Sequence, residues 1–378
     1  MRVLHVHSGN LFGGVERLLV TLAAHQALAA GVQPEYALCF GGRLAEELRA
    51  TGVKLHRLPP VRVRWWWTVW RARRALDRVL RVEGGEAVLV HSAWGQALFG
   101  PVAKRRGVPL VLWVHAPIVP GAWLERWAAR CPPAGLLFNS EFTASASARY
   151  PQTPRAVLYY PVAAPPATAA PAAREATRAQ LGVRPEGVVL LMASRLEAWK
   201  GHSALIAALA LLEKAPDWHC WIAGGPQRPA EHRYLRALQA RVATAGLATR
   251  VRFLGQRADV PALLVAADIF CQPNTGPEPF GIVFVEALLA GRPVVGTALG
   301  GPLEIVDDSC GCLVPPGDCR ALAATLERLI HDGPRRAQLG RAGPARARAL
   351  CDPARQMARL AEFLARLGNT VATTQPAS

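Results

Sequence analysis

The chain has 378 residues, 51% of them hydrophobic and only 19% charged, a balance that excludes a disordered or fibrous protein and leaves ample material for a buried core. Its formal charge of +17 invites acidic partners (nucleic acid, anionic lipid or phosphate-bearing substrates) without choosing among them. Forty of the 44 basic residues are arginines, so Lys54, Lys104, Lys200 and Lys214 each carry more information than a lysine usually does.

In chain order, Val3–His7 is a short apolar run expected as a buried strand, followed by a glycine-containing loop, Gly9–Gly14, and an amphipathic helix over Val15–Ala30. Strand-like runs recur at Ala37–Phe40, Ala87–His91, Pro109–His115 and Gly135–Asn139, with helical segments between them. That alternation implies a doubly wound parallel sheet. The stretch Pro161–Ala173 holds four prolines and seven alanines and reads as a spacer. The rhythm then restarts, with strands expected near Val188–Ala193, His219–Ala223, Arg250–Leu254, Ile269–Gln272, Pro293–Gly296 and Cys312–Val314. Helices are expected at Ser203–Leu212, Glu231–Ala245 and Ile282–Ala290, and a last one at Pro353–Leu367. The expected fold is therefore α/β, with an N-terminal domain over 1–160, a linker over 161–176 and a C-terminal domain over 177–350. A helix over 351–368 is expected to pack back on the first domain.

The eight cysteines show no zinc-type spacing, which fits reduced thiols in a reducing, cytoplasmic compartment. The N-terminus is too short and polar for a signal peptide, and the uncharged windows are broken by proline. A soluble protein, or one peripheral on the inner face of a membrane, is expected.

Two doubly wound domains would face each other across a cleft bounded by the carboxyl ends of their strands, where such sheets bind ligands. The segment Glu278-Pro-Phe-Gly-Ile-Val-Phe-Val-Glu286 places two carboxylates around a glycine at a helix start. Gly281 lets the backbone approach a ligand, and the N–H groups near Phe280, Gly281 and Ile282 suit an anion. The competing reading, two surface glutamates favouring a helix dipole, is weakened by the apolar neighbours Phe280, Val283 and Phe284. In Ser194-Arg-Leu-Glu-Ala-Trp-Lys-Gly-His202, Arg195 and Lys200 flank a strand-to-helix turn where both can reach a diphosphate, one as a fork and one as a point charge. Gly13-Gly14, followed by Glu16, and Gly224-Gly225 are further turn signals, each ordinary alone. His115 ends a strand and would face the cleft, although a lone histidine is more often structural.

Together these residues resemble the retaining, nucleotide-sugar-dependent glycosyltransferases of family 4, with two Rossmann-like domains in the GT-B arrangement, over roughly Arg2 to Leu367. The resemblance implies that Arg195 and Lys200 neutralise the diphosphate leaving group and that Glu286 holds the ribose. It further implies that Glu278, Phe280, Gly281, Ile282 and Gly225 line the donor site, that Gly13 and Gly14 approach the phosphates, and that His115 meets the transferred sugar. The sequence has no Asp-x-Asp, in keeping with catalysis that needs no metal and no cofactor beyond the donor itself. GDP-mannose and UDP-hexoses both remain open as donors. The acceptor is expected to be a glycan or a lipid-linked molecule, and Ala116 and Tyr159-Tyr160 depart from the family pattern on that side.

Arg62 to Arg81 carries seven arginines and four tryptophans. If helical, Trp66, Val69, Leu76 and Leu80 share a face, as in an interfacial helix. Trp65, Trp66 and Trp67 then become candidates for docking an anionic membrane or acceptor; the plainer alternative packs them inward. An epimerase or phosphorylase on the same fold, or a basic nucleic-acid-binding protein, are the competing functions. No nucleic-acid module is present and the basic residues are dispersed, so no nucleic-acid partner is expected.

Overall fold

The computed structural model describes residues 1–9, 12–118, 121–147, 149–164, 171–212 and 217–374. They form two compact units, Met1–Pro161 with Cys351–Ser378, and Val162–Leu350. Both are doubly wound α/β structures, as the alternating pattern implies.

Among the described residues the N-terminal unit holds seven parallel strands: β1 (Arg2–His7), β2 (Gln33–Leu38), β3 (Lys54–Arg57), β4 (Ala87–Val90), β5 (Leu110–Val114), β6 (Gly135–Phe138) and β7 (Arg155–Val157). Their order is β3-β2-β1-β4-β5-β6-β7, so chain direction across the sheet reverses between β1 and β4. Every residue of β4, β5 and β6 is buried, which explains why they read as unbroken apolar runs: helices cover both faces. The two strands not expected from sequence, β3 and β7, are the sheet edges; their polar KLHR and RAV sequences carry no such run.

Among the described residues the C-terminal unit has six parallel strands: β8 (Val188–Ala193), β9 (Trp218–Ala223), β10 (Val251–Gly255), β11 (Ile269–Gln272), β12 (Val294–Thr297) and β13 (Gly311–Val314). Their order is β10-β9-β8-β11-β12-β13, with the reversal between β8 and β11. Leu190, Met192, Leu205, Trp218, Ile222 and Leu326 centre its core.

Three expectations are corrected. The spacer ends early: Pro161 and Val162 are buried, 165–170 lie outside the described residues, and a helix already runs over Pro171–Gln180. Proline fits a first helical turn, and alanine is the strongest helix former, so the composition that suggested a spacer also starts a helix. That helix is anchored by Arg174 and Arg178, which donate to Asp268 at 2.6 and 2.9 Å. The tail helix runs further than expected, over Pro353–Thr374. It buries Met357, Leu360, Leu364 and Leu367 within the first unit, and Leu367 with Phe363 lies so close over Gly135 that a Cβ there would fall 2.5 Å from Leu367 Cδ1. The third correction concerns the helix Trp66–Glu83, which buries Ala72, Leu76 and Leu80 but leaves Trp66 73% exposed. Trp66 lies in the first turn and, ten residues before Leu76, is rotated by about 80° from it. The tryptophans do not pack inward either: Trp65, Trp67 and Trp70 are 42%, 47% and 51% exposed.

Candidate functional site

In the C-terminal unit the chemistry gathers where β8 and β11 end side by side. After β8 the chain turns through Ser194–Gly201 before the helix His202–Leu209. Gly201 takes φ +87, and a Cβ there would lie 1.8 Å from Pro273 O, so only glycine lets this turn lie directly on the backbone that leaves β11. The contact brings Lys200 to Glu278, 78 positions away: Lys200 Nζ donates to Glu278 Oε2 at 2.5 Å and sits 4.0 Å from the Trp199 ring centre. The pair keeps only 12% and 9% of its side-chain surface. Gln272, the last residue of β11, donates through Nε2 to the same Oε2 at 3.2 Å, and Asn274 through Nδ2 at 2.8 Å. Arg195 is exposed and lies 3.0 Å from Glu197 Oε1, so it joins the turn but not the buried pair.

The segment after Glu278 is strapped to the end of β12. Glu278 bridges Gly300 in parallel, and Gly301 N donates to Glu278 O at 2.8 Å. Phe280 is buried, and Gly281, at φ +100, caps the helix Ile282–Leu289, whose first-turn N–H groups have no earlier turn to bond. Ile282 and Glu286 are half-buried on that helix. Gly225 is packed against Gln256, where a Cβ would fall 2.7 Å from its backbone N. His202 is fully buried beside Ser194 Oγ at 3.2 Å; burial, and then the Lys200 charge, push its pKa down to about 4. Four of the donor-side residues named from sequence are thus brought together (Lys200, Glu278, Phe280 and Gly281).

The N-terminal unit presents different chemistry at the same end of its sheet. His5 Nδ1 and His91 Nε2 are 3.1 Å apart, His91 Nδ1 and His115 Nε2 are 3.0 Å apart, and Tyr160 OH and His115 Nδ1 are 2.5 Å apart. Asn139 Nδ2 donates to Tyr160 OH at 3.3 Å. This polar row crosses the sheet through β1, β4 and β5 to the residues following β6 and β7. The rings stack at centroid spacings of 5.4 and 5.3 Å. Burial pushes His5 and His115 down to about 3 and His91 well below its usual value, so all three are neutral near pH 7. His115, expected to meet a sugar, has both ring nitrogens engaged within this row.

Beside the row is a pocket of about 670 Å³ lined by His7, Glu16, Arg62, His91, Ser92 and Trp94 among others. Glu16 Oε1 meets His7 Nε2 at 2.9 Å, and Glu16 Oε2 accepts from Gly13 N at 2.8 Å. Burial works against the Glu16 charge, but the His7 ring and the Gly13 N–H outweigh it and hold the carboxyl below its usual value. The Gly13 N–H is therefore occupied by Glu16, while Gly14 begins the helix Gly14–Ala24. Trp65 and Trp67 stack at 5.8 Å on the exposed start of the helix Trp66–Glu83. A second aromatic group, Trp94, Trp123 and Trp127, has centroids 5.3 to 6.4 Å apart, and Trp123 is 57% exposed.

A family model described as Glycosyltransferase Family 4 matches residues 12–162, and one described as Glycosyl transferases group 1 matches residues 173–346. The chain belongs to glycosyltransferase family 4. It is 33% identical over 305 residues to a D-inositol 3-phosphate glycosyltransferase of Salinispora tropica, covering 71% of this chain and 63% of that one. A phosphatidyl-myo-inositol mannosyltransferase of Mycobacterium leprae is 39% identical over 148 residues, 38% of this chain and 37% of the relative. Among solved structures, Anabaena Alr3699/HepE in complex with UDP and glucose superposes with a TM-score of 0.83 at 25% identity, over 97% of this chain and all of that one. The GT-B fold of the family accounts for the two doubly wound units.

Sequence reasoning missed Gln272, Asn274, Glu197, His5, His91 and Tyr160. One signal was present: the expected strands Ala87–His91 and Pro109–His115 both end in histidine, and those two rings meet in the row. Val3–His7 ends in histidine as well, but it is His5, inside the strand, that joins the row, while His7 pairs with Glu16. The amides of Gln272 and Asn274 carry no such pattern, since their partner lies on another turn.

Proposed function

We propose that this chain transfers a hexosyl group from a nucleotide-diphosphate sugar to a hydroxyl of a glycan or lipid-linked acceptor, with retention and without a metal. The reading is carried by the buried Lys200–Glu278 pair at the ends of β8 and β11, beside the N-terminus of the helix Ile282–Leu289. Lys200 has ammonium hydrogens beyond the one given to Glu278, and with Arg195 it would neutralise the diphosphate as the anomeric C–O bond breaks. Glu278, with the backbone at Phe280, Gly281 and Ile282, would hold the sugar; Glu286 would take the ribose hydroxyls, with Gly225 giving the donor backbone room. The acceptor oxygen attacks the face that the leaving group departs from, and its proton passes to the departing phosphate oxygen. The pocket of the N-terminal unit would take the acceptor, His115 would meet the transferred sugar, and Gly13 and Gly14 would approach the phosphates. The pairing of UDP with glucose in the Anabaena complex and the mannosyltransferase activity named for the Mycobacterium relative keep both UDP-hexose and GDP-mannose as donors.

Calorimetric titration with UDP, GDP and ADP, with and without Mg²⁺, tests this. Micromolar binding of one nucleotide, indifferent to Mg²⁺ and lost in Glu286→Ala, is expected. Binding of none, or binding that requires Mg²⁺, would count against the reading.

The exposed Trp65, Trp66 and Trp67, with Arg62 and Arg64 beside them, support docking on the cytoplasmic face of an anionic membrane. Among the described residues no helix is long and apolar enough to cross a membrane, so the contact would be peripheral. Co-sedimentation with vesicles containing phosphatidylglycerol is expected at low salt and should be lost in a triple Trp→Ala variant.

A further inference from the structure

Glu278 is held in an uneven way. Its Oε2 accepts from Lys200, Gln272 and Asn274 at 2.5, 3.2 and 2.8 Å, whereas Oε1 accepts from none of the described residues. The arrangement leaves Gln272 in an unfavourable state: the side chain is fully buried, and its own Oε1 has no hydrogen-bond partner among the described residues. Turning the amide over would not relieve this. It would aim a carbonyl oxygen at Glu278 Oε2 and at Asn274 Oδ1, which now accepts from Gln272 Nε2 at 3.0 Å. Asn274 is fixed in turn by Thr297 on β12, whose Oγ1 donates to the Asn274 carbonyl at 2.7 Å. A buried acceptor left unsatisfied is rare enough in folded proteins to require a reason. Here the Gln272 amide is committed to Asn274 Oδ1 and to Glu278 Oε2, the oxygen to which Asn274 also donates. A carboxylate oxygen that already accepts from three donors has no room for a further one, so Glu278 can take another hydrogen bond only through Oε1.

We propose that Gln272 and Asn274 are positioning residues that aim Glu278 Oε1 at a hydroxyl of the bound ligand, so that the site selects a polyhydroxylated ring over a ligand without a hydroxyl there. This rests on the donor-site reading of Glu278 given above. A site built to accept from a hydroxyl discriminates strongly against the analogue lacking it, because its own acceptor is then left unpaired.

The experiment compares the dissociation constants of the free nucleoside diphosphate and of its hexose conjugate, using whichever of UDP or GDP binds the wild type with its glucose or mannose conjugate. Gln272→Glu keeps the side-chain shape and replaces the donating NH₂ by oxygen; Asn274→Leu removes the second donor at similar volume. Each is expected to leave the nucleoside diphosphate within about twofold, which also reports an intact fold, and to shift the ratio about tenfold against the hexose conjugate. Glu278→Gln separates the two levels. If it leaves the ratio unchanged, or if the wild type binds neither diphosphate, the donor reading fails and takes this inference with it. If it shifts the ratio while Gln272→Glu and Asn274→Leu do not, the donor reading stands and the positioning role is overturned. A variant that loses the diphosphate and the conjugate equally would also overturn it, since the effect would then be general rather than aimed at the sugar.

Discussion

The two units use the carboxyl ends of their sheets in opposite ways. The C-terminal unit concentrates charge: an ammonium and a carboxylate pair, largely buried, and two amides donate to the same carboxylate oxygen. The N-terminal unit instead runs three neutral imidazoles, hydrogen-bonded in a row, across β1, β4 and β5, with the Glu16 carboxylate set apart against His7. A buried ion pair needs both members present, because either one alone is left desolvated. A neutral histidine row needs only that no ring takes a second proton. The first arrangement is therefore vulnerable to substitution, and the second to acid.

Substitution should break the charged site first. Lys200→Met leaves Glu278 buried without its cation, and is expected to lower turnover by about 100- to 1000-fold and stability by about 3–5 kcal/mol. Adding Glu278→Met to it should restore most of the stability but none of the turnover, as read by urea unfolding and donor consumption. Acid should find the other unit. Burial lowers His5 and His115 to about 3 from an ordinary 6.5, and His91 in the same direction. A folded-state pKa below the unfolded one means that the unfolded chain binds protons first, so stability is full above about pH 6.5 and is lost as pH falls below it. Three rings together cost about 4 kcal/mol for each pH unit below that value, as long as all remain neutral when folded. Calorimetric scans between pH 7.5 and 5 should show the N-terminal unit melting earlier as pH drops; a melting temperature flat across that range would remove the neutral row.

Smaller effects sharpen the contrast. Tyr160→Phe deletes the partner of His115 Nδ1 and should cost about 1–3 kcal/mol of stability, with nucleotide binding in the other unit unchanged. The triple Trp65, Trp66 and Trp67→Ala variant should alter stability by no more than about 0.5 kcal/mol, since these side chains are exposed, while abolishing vesicle co-sedimentation.

Legibility from sequence followed the same division. Central strands such as β5 and β8 announced themselves because both faces are covered and every residue is apolar, whereas the edges β3 and β7 had no such pressure. Lys200 and Glu278 were recognisable through their local turns and motif spacing. Their direct contact was not, because it depends on Gly201 lying on Pro273, an approach between segments more than 70 residues apart. His115 was visible as a strand end, but the engagement of both its nitrogens depends on His91 and Tyr160, which meet it only across the folded sheet.

The helix Pro353–Thr374 has a consequence for how the molecule comes into being. It closes the N-terminal unit by covering Gly135 with Phe363 and Leu367, yet it is translated after all of Val162–Leu350. On the ribosome, the half that is made first is completed last. The second half can assemble its whole core while the first still waits with an uncovered apolar surface, which makes that surface the natural point of attention for chaperones during synthesis.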